Sequence, residues 1–143
     1  MSRKQIIGKI GEDLACGYLV NKGYEILTRN YREKFGEIDI VSKSPDKTLV
    51  FVEVKTMSSP EITVDKSPAS YPHLAGLGSD KLIPEDQISE SKMDKFKKIG
   101  QWYANKYPEL TNTRGYRFDA ITILINQKSK EAGIRHYKNI IAY

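Results

Sequence analysis

The stretch Phe35-Gly36-Glu37-Ile38-Asp39-Ile40-Val41, resumed after a turn by Leu49-Val50-Phe51-Val52-Glu53-Val54-Lys55, decides how the chain is read. Both runs are apolar, yet both carry charge where a core strand should not. Asp39 sits between Ile38 and Ile40, and Glu53 and Lys55 flank Val54. Burying a carboxylate or an ammonium without a partner costs several kcal/mol. A chain that keeps three such groups in its strongest strand pair is using them.

Between the runs, Ser42 to Thr48 holds Ser-Lys-Ser-Pro-Asp-Lys, which is turn chemistry, so the two runs are read as a β-hairpin. Residues two apart on a strand share a face, which puts Glu53 and Lys55 together with Val54 opposite. Asp39 lies across from Glu53 if paired residue numbers sum to an even value; an odd register separates the two carboxylates. In the even register, two carboxylates and a lysine converge. Carboxylates that close repel unless a cation lies between them. A few hard oxygen ligands suit Mg²⁺, with Mn²⁺ as a substitute, completed by water and phosphate oxygens. Lys55 then stands where it could act on an attacking water or stabilise a phosphorane-like transition state.

Composition sets the bounds. The 143 residues are read as one domain, 1–143, with a core but little to spare. Apolar residues make up 39% and charged residues 29%, ordinary for a soluble protein. No run approaches the ~20 apolar residues of a membrane span. The N-terminal segment has no secretory pattern, so the expected location is cytoplasmic. The single cysteine, Cys16, excludes an intrachain disulfide and a thiolate zinc site. With His73 and His136 alone, a histidine metal site is not expected, and His73 is read as a surface loop residue. The net charge of +5 is compatible with phosphate binding, but charge alone carries little weight.

Along the chain, Gln5 to Lys22 reads as a helix closed by Gly23. Ile7, Ile10, Leu14 and Tyr18 recur on it at helical spacing. Gly8, Gly11, Ala15 and Leu19 form a small-residue stripe suited to close packing on a sheet. Glu12 lies at the edge of that stripe; spacing alone favours a solvated residue over one aimed at the hairpin carboxylates. Tyr24 to Tyr31 reads as a strand. Arg29 and Arg32 are either phosphate contacts or an ordinary exposed edge. Residues 57–84, rich in Pro, Ser and Gly, read as a long flexible loop beside the groove. Glu85 to Tyr107 reads as a second helix, buried through Phe96, Ile99, Tyr103 and Tyr107, with Lys92 on its inward side. Arg117 to Ile125 and Ile134 to Ile141 read as a closing strand pair. Helix, three strands, loop, helix and two strands give an α/β sandwich with a mixed central sheet of about five strands.

Several motifs together resemble the YraN-like proteins, a small bacterial family of predicted nucleases. They are Gly8-x-x-Gly11-Glu12-x-x-Ala15, Ile26-Leu27-x-Arg29-Asn30-x-Arg32, Gly36-Glu37-Ile38-Asp39 and Val50-Phe51-Val52-Glu53-Val54-Lys55. Lys92, Arg117-Phe118-Asp119 and Ile134-Arg135-His136 extend the likeness over most of the chain. The resemblance implies a restriction-endonuclease-like α/β/α sandwich, distantly similar to Holliday-junction resolvases. It implies that Asp39 and Glu53 are metal ligands, joined by the Val54 carbonyl, that Lys55 is the catalytic lysine, and that Glu12 is an accessory carboxylate. Two departures concern substrate contacts. Met57 stands where family members commonly carry arginine, and the 57–84 loop is longer than usual.

The leading expectation is a Mg²⁺-dependent endonuclease acting on DNA, including branched or flapped structures, with no base-reading module. Arg29, Arg32, Lys92 and Arg117 are its candidate phosphate contacts, and a homodimer is expected by analogy with resolvases. The alternative is a non-catalytic nucleic-acid-binding or complex-forming protein on the same fold. A third reading makes Asp39, Glu53 and Lys55 a structural ion-pair cluster.

Overall fold

A computed structural model describes residues 1–62, 64 and 88–141. Its elements are α1 (Arg3–Asn21), β1 (Glu25–Glu33), β2 (Gly36–Lys43), β3 (Leu49–Ser59), α2 (Glu90–Lys106), β4 (Tyr116–Asn126) and β5 (Ala132–Tyr137). The five strands form one sheet in sequence order. β3 and β4 run parallel, joined by the crossover that contains α2; all other neighbours are antiparallel. The mixed sheet and the two helices match a restriction-endonuclease-like sandwich.

The hairpin of β2 and β3 takes the even register, the one that brings the two carboxylates together. Ile40 pairs with Val52, Val41 with Phe51, Ser42 with Val50 and Lys43 with Leu49. Each pair sums to 92, the value that sets Asp39 against Glu53. The turn between them is tied by Asp46, which accepts hydrogen bonds from the Thr48 backbone N–H (3.2 Å) and hydroxyl (2.8 Å).

The sheet buries a different cluster on each side. Ala15 and Leu19 of α1 pack with Ile40, Val50, Val52, Ile121 and Ile123. Phe96, Ile99 and Tyr103 of α2 pack with Val41, Leu49, Phe51 and Phe118. Both helices approach closely through glycine. A Cβ at Gly11 would overlap the Thr56 side chain on β3, and one at Gly100 would overlap the Phe118 ring.

The boundaries differ from the sequence reading in instructive ways. The side chain of Ser2 caps α1, accepting from the Gln5 N–H while Gln5 bonds back to Ser2, so the helix starts two residues before Gln5. Ile10 and Leu14 stay 45% and 36% exposed, because the small-residue stripe faces the sheet instead. Met57 does not open a loop: β3 runs on to Ser59, paired with Asn126. Most of the expected 57–84 loop, with His73, lies outside the described residues. α2 starts at Glu90, behind a Ser89 cap, rather than at Glu85. β5 stops at Tyr137 rather than Ile141, since Asn139 turns its backbone N–H to Asp119 (2.9 Å).

Candidate metal and phosphate site

Asp39, near the start of β2, is held by a backbone group. The Val54 N–H donates to Asp39 Oδ2 at 2.8 Å. That bond crosses the hairpin just beyond the last paired residues, Ile40 and Val52, where the strands stop exchanging ladder hydrogen bonds. Glu53 adjoins it on β3. Lys55 follows two residues on and is exposed. α1 brings Glu12 to the same place, and the first turns of α2 bring Lys92. Glu12, Asp39, Glu53, Lys55 and Lys92 line one groove of about 610 Å³, with Arg3 and Lys4 at its rim. Glu53 and Lys92 also line a smaller groove of about 200 Å³ against Gly36 and Phe96.

The electrostatics of the pair are unfavourable as it stands. Burial pushes the Asp39 carboxyl up to about 6; Glu12 and Glu37 add to the rise, against the Val54 hydrogen bond. Burial, followed by the charge of Asp39, pushes Glu53 up to about 8, and Lys92 pulls it down. Desolvation and like charge are the two causes that a cation between the carboxylates would relieve. Among the described residues no group of three or more His, Cys, Asp or Glu side chains forms a metal cage. Asp39 and Glu53 could offer two hard carboxylates to an ion. That suits an ion that keeps several waters, as Mg²⁺ does, and not a closed zinc or calcium site.

A carboxyl with a raised folded-state pKa binds its proton more tightly when folded, so it favours folding most at low pH. The contribution is complete below the ordinary carboxylate range of about 4 and is lost as pH rises through 6 and then 8. Protein kept in chelator is expected to lose on the order of 2 kcal/mol of stability across that window. Urea midpoints measured at successive pH values check this. The Glu53→Gln protein should show a much flatter profile, and a wild-type midpoint climbing from pH 6 to pH 8 would contradict the account.

The four expected phosphate contacts are placed differently. Lys92 is in the groove. Arg29 stands beside it but donates to Asp13 Oδ1 at 2.7 Å and lies 4.0 Å from Glu12. Arg32 is exposed and pairs with Glu37 at 3.2 Å. Arg117 is not brought to the groove at all. Its guanidinium donates to both oxygens of buried Asp119 (3.0 and 3.2 Å) and to the Tyr24 hydroxyl (2.8 Å). One participant was missed: Glu37 lines both grooves and raises both carboxyls. The period-2 alternation that pairs Glu53 with Lys55 also pairs Glu37 with Asp39, so the signal was present.

The mixed-sheet sandwich is restriction-endonuclease-like in fold, and a half-buried carboxylate pair and a lysine stand at the mouth of its β2–β3 hairpin. Within that class the chain belongs to the uncharacterised protein family UPF0102, the YraN-like family of the motifs above, whose model matches residues 11–123. A UPF0102 protein of Caldicellulosiruptor bescii is 34% identical over 139 residues, covering 97% of this chain and 98% of the relative. One from Desulforamulus reducens is 30% identical over the same coverage. One from Clostridium botulinum strain 657 is 36% identical over 134 residues, 93% of this chain and 91% of the relative. Among the described residues no helix is long and apolar enough to cross a membrane.

Proposed function

We propose that this protein is a Mg²⁺-dependent phosphodiesterase that cleaves nucleic acid, DNA in the first instance. The observation that carries the reading is the half-buried Asp39–Glu53 pair, both carboxyls raised by burial and by neighbouring acids and open to a groove lined by Arg3, Lys4, Lys55 and Lys92. Asp39 and Glu53 would hold Mg²⁺ or Mn²⁺, which supplies Lewis-acid stabilisation of charge on the phosphate oxygens. The Val54 N–H holds the Asp39 carboxylate in one orientation. Lys55 takes the role of orienting the attacking water and steadying charge on the phosphate. Glu12 acts as an accessory carboxylate at the groove wall. Lys92 offsets the charge of Glu53 and contacts phosphate, while Arg29 and Arg32 serve phosphates further along only by leaving their carboxylate partners.

A purely structural ion-pair cluster would join Lys55 to a carboxylate. Among the described residues no such ion pair is formed. Cleavage assays on flapped, branched and single-stranded DNA, and on RNA, test the proposal. Lys55→Ala should lose cleavage by roughly 10²-fold or more while keeping Mg²⁺ binding. If no substrate is cut with either Mg²⁺ or Mn²⁺, the non-catalytic binding module becomes the better account.

A further inference from the structure

The chain has one tryptophan, Trp102, and α2 leaves it 48% exposed. A ring of that size is usually largely buried. Here about half of its surface stays open. The Phe35 ring meets it edge-on, with centroids 5.6 Å apart and planes at 81°. Lys98 places its ammonium 6.0 Å from the Phe35 ring centroid. The position of this aromatic face relative to the carboxylate pair is specific. Lys92 and Lys95 line the smaller groove with Glu53, and Lys95 and Lys98 line the next groove along α2. Glu90 and Asp94 also border that second groove, near the helix start, so its cationic side is the one toward Trp102. From Lys92 to Trp102 the helix rises roughly 15 Å. That is about four base steps at the 3.4 Å spacing of stacked bases.

Lysines spaced three apart, ending at an open aromatic ring, match the two elements of single-strand recognition: charge along the backbone and a surface for base stacking. In a continuous duplex the base faces cover one another and offer a ring nothing to stack on. We propose that the Trp102–Phe35 face stacks an unpaired nucleobase delivered along Lys92, Lys95 and Lys98. The substrate class is then nucleic acid with a single-stranded segment about four base steps from the scissile phosphate. The inference rests on the phosphodiesterase reading for the identity of the groove.

Because Trp102 is the sole tryptophan, its emission reports on stacking directly. Wild-type protein in chelator is titrated with oligothymidylate, oligouridylate, an abasic strand of the same length and a blunt duplex, with anisotropy of the labelled strands read in parallel. Oligothymidylate should quench Trp102 and bind about tenfold tighter than the abasic strand. The oligouridylate arm separates DNA from RNA as the source of the base. Trp102→Ala, with folding checked by circular dichroism, should erase the preference for bases, and Trp102→Phe should keep most of it. Equal binding of the abasic strand, absence of quenching, or an unchanged preference in Trp102→Ala would overturn the stacking site. Emission that shifts on concentrating the free protein, with no effect of bases, would assign the ring to a second copy of the chain instead. Cleavage of duplex without any base preference would remove the platform and leave the phosphodiesterase standing. No binding by any strand, with or without Mg²⁺, would remove both.

Discussion

Replacing Asp39 and Glu53 together by alanine is expected to abolish Mg²⁺ and Mn²⁺ binding and to lower cleavage by roughly 10³-fold or more. The unusual part of the expectation is stability. Both carboxyls are pushed up by burial, and each is raised further by neighbouring acids. Removing them relieves a cost that the folded protein bears in the absence of metal. The double variant, compared with wild type in chelator at pH 8, should therefore be as stable or more stable. Added Mg²⁺ should raise the wild-type midpoint and leave the variant unchanged, since only the state that binds the ion is stabilised. Calorimetric titration, with a short oligonucleotide present to supply phosphate oxygens, reads the binding; urea denaturation reads the rest. A variant that still binds metal, or one that unfolds more easily than wild type in chelator, would show that the pair is structural.

Asp119 behaves oppositely. Asp119→Ala is expected to cost about 3–5 kcal/mol, a large share of the 5–15 kcal/mol typical of a domain. Asp119 is 0% exposed. It accepts from Arg117 Nε (3.0 Å), from His136 Nε2 (2.8 Å) and from the Asn139 N–H (2.9 Å). Burial raises its carboxyl, but the hydrogen bonds from His136 and Arg117 outweigh that and hold it below the ordinary range. A carboxyl lowered in this way contributes stability above its unfolded value near 4, and that contribution is lost as pH falls below it. Truncation strands the Arg117 guanidinium, half-removed from water, and frees the segment after β5 that Asn139 ties down. Denaturation midpoints at neutral pH measure the loss. A cost under about 1 kcal/mol would mean that solvent replaces Asp119 easily. Asp119→Ala that remains folded should bind Mg²⁺ as wild type does, because the cluster does not line the groove.

These two carboxylate sites separate what sequence pattern can and cannot reach. Asp39 and Glu53 were legible because the chemistry that unites them is local. Fourteen residues apart, they are brought together by one turn, and a period of two decides which side chains share a face. The sequence left the register conditional, even or odd, and the observed ladder of pairs summing to 92 is the even one that brings the carboxylates together. Gly11 and Ala15 were legible for a similar reason, since small residues four apart mark where a helix can approach a sheet.

Arg117 was legible as a cation but not as a partner. Its acceptors are Asp119 on its own strand and Tyr24, separated by 93 residues. Nothing in a strand's periodicity names a hydroxyl that far away. The same limit applies to Arg29, which is bound to Asp13 across the gap between α1 and β1, and to Lys92, whose reach to Glu53 depends on where the crossover lays α2.

The sequence by itself determined the order of the elements, the β2–β3 hairpin, and that two carboxylates and a lysine meet at one end of it if its register is even. Each follows from local periodicity and turn chemistry, which act over a few residues. Only the tertiary structure decided which cations remain open to a ligand, which distant hydroxyl and imidazole join Arg117 and Asp119, and which aromatic ring stays uncovered beside the lysines of α2. Those outcomes depend on how the two helices lie on the sheet, and packing between distant segments, rather than any local pattern, sets that arrangement.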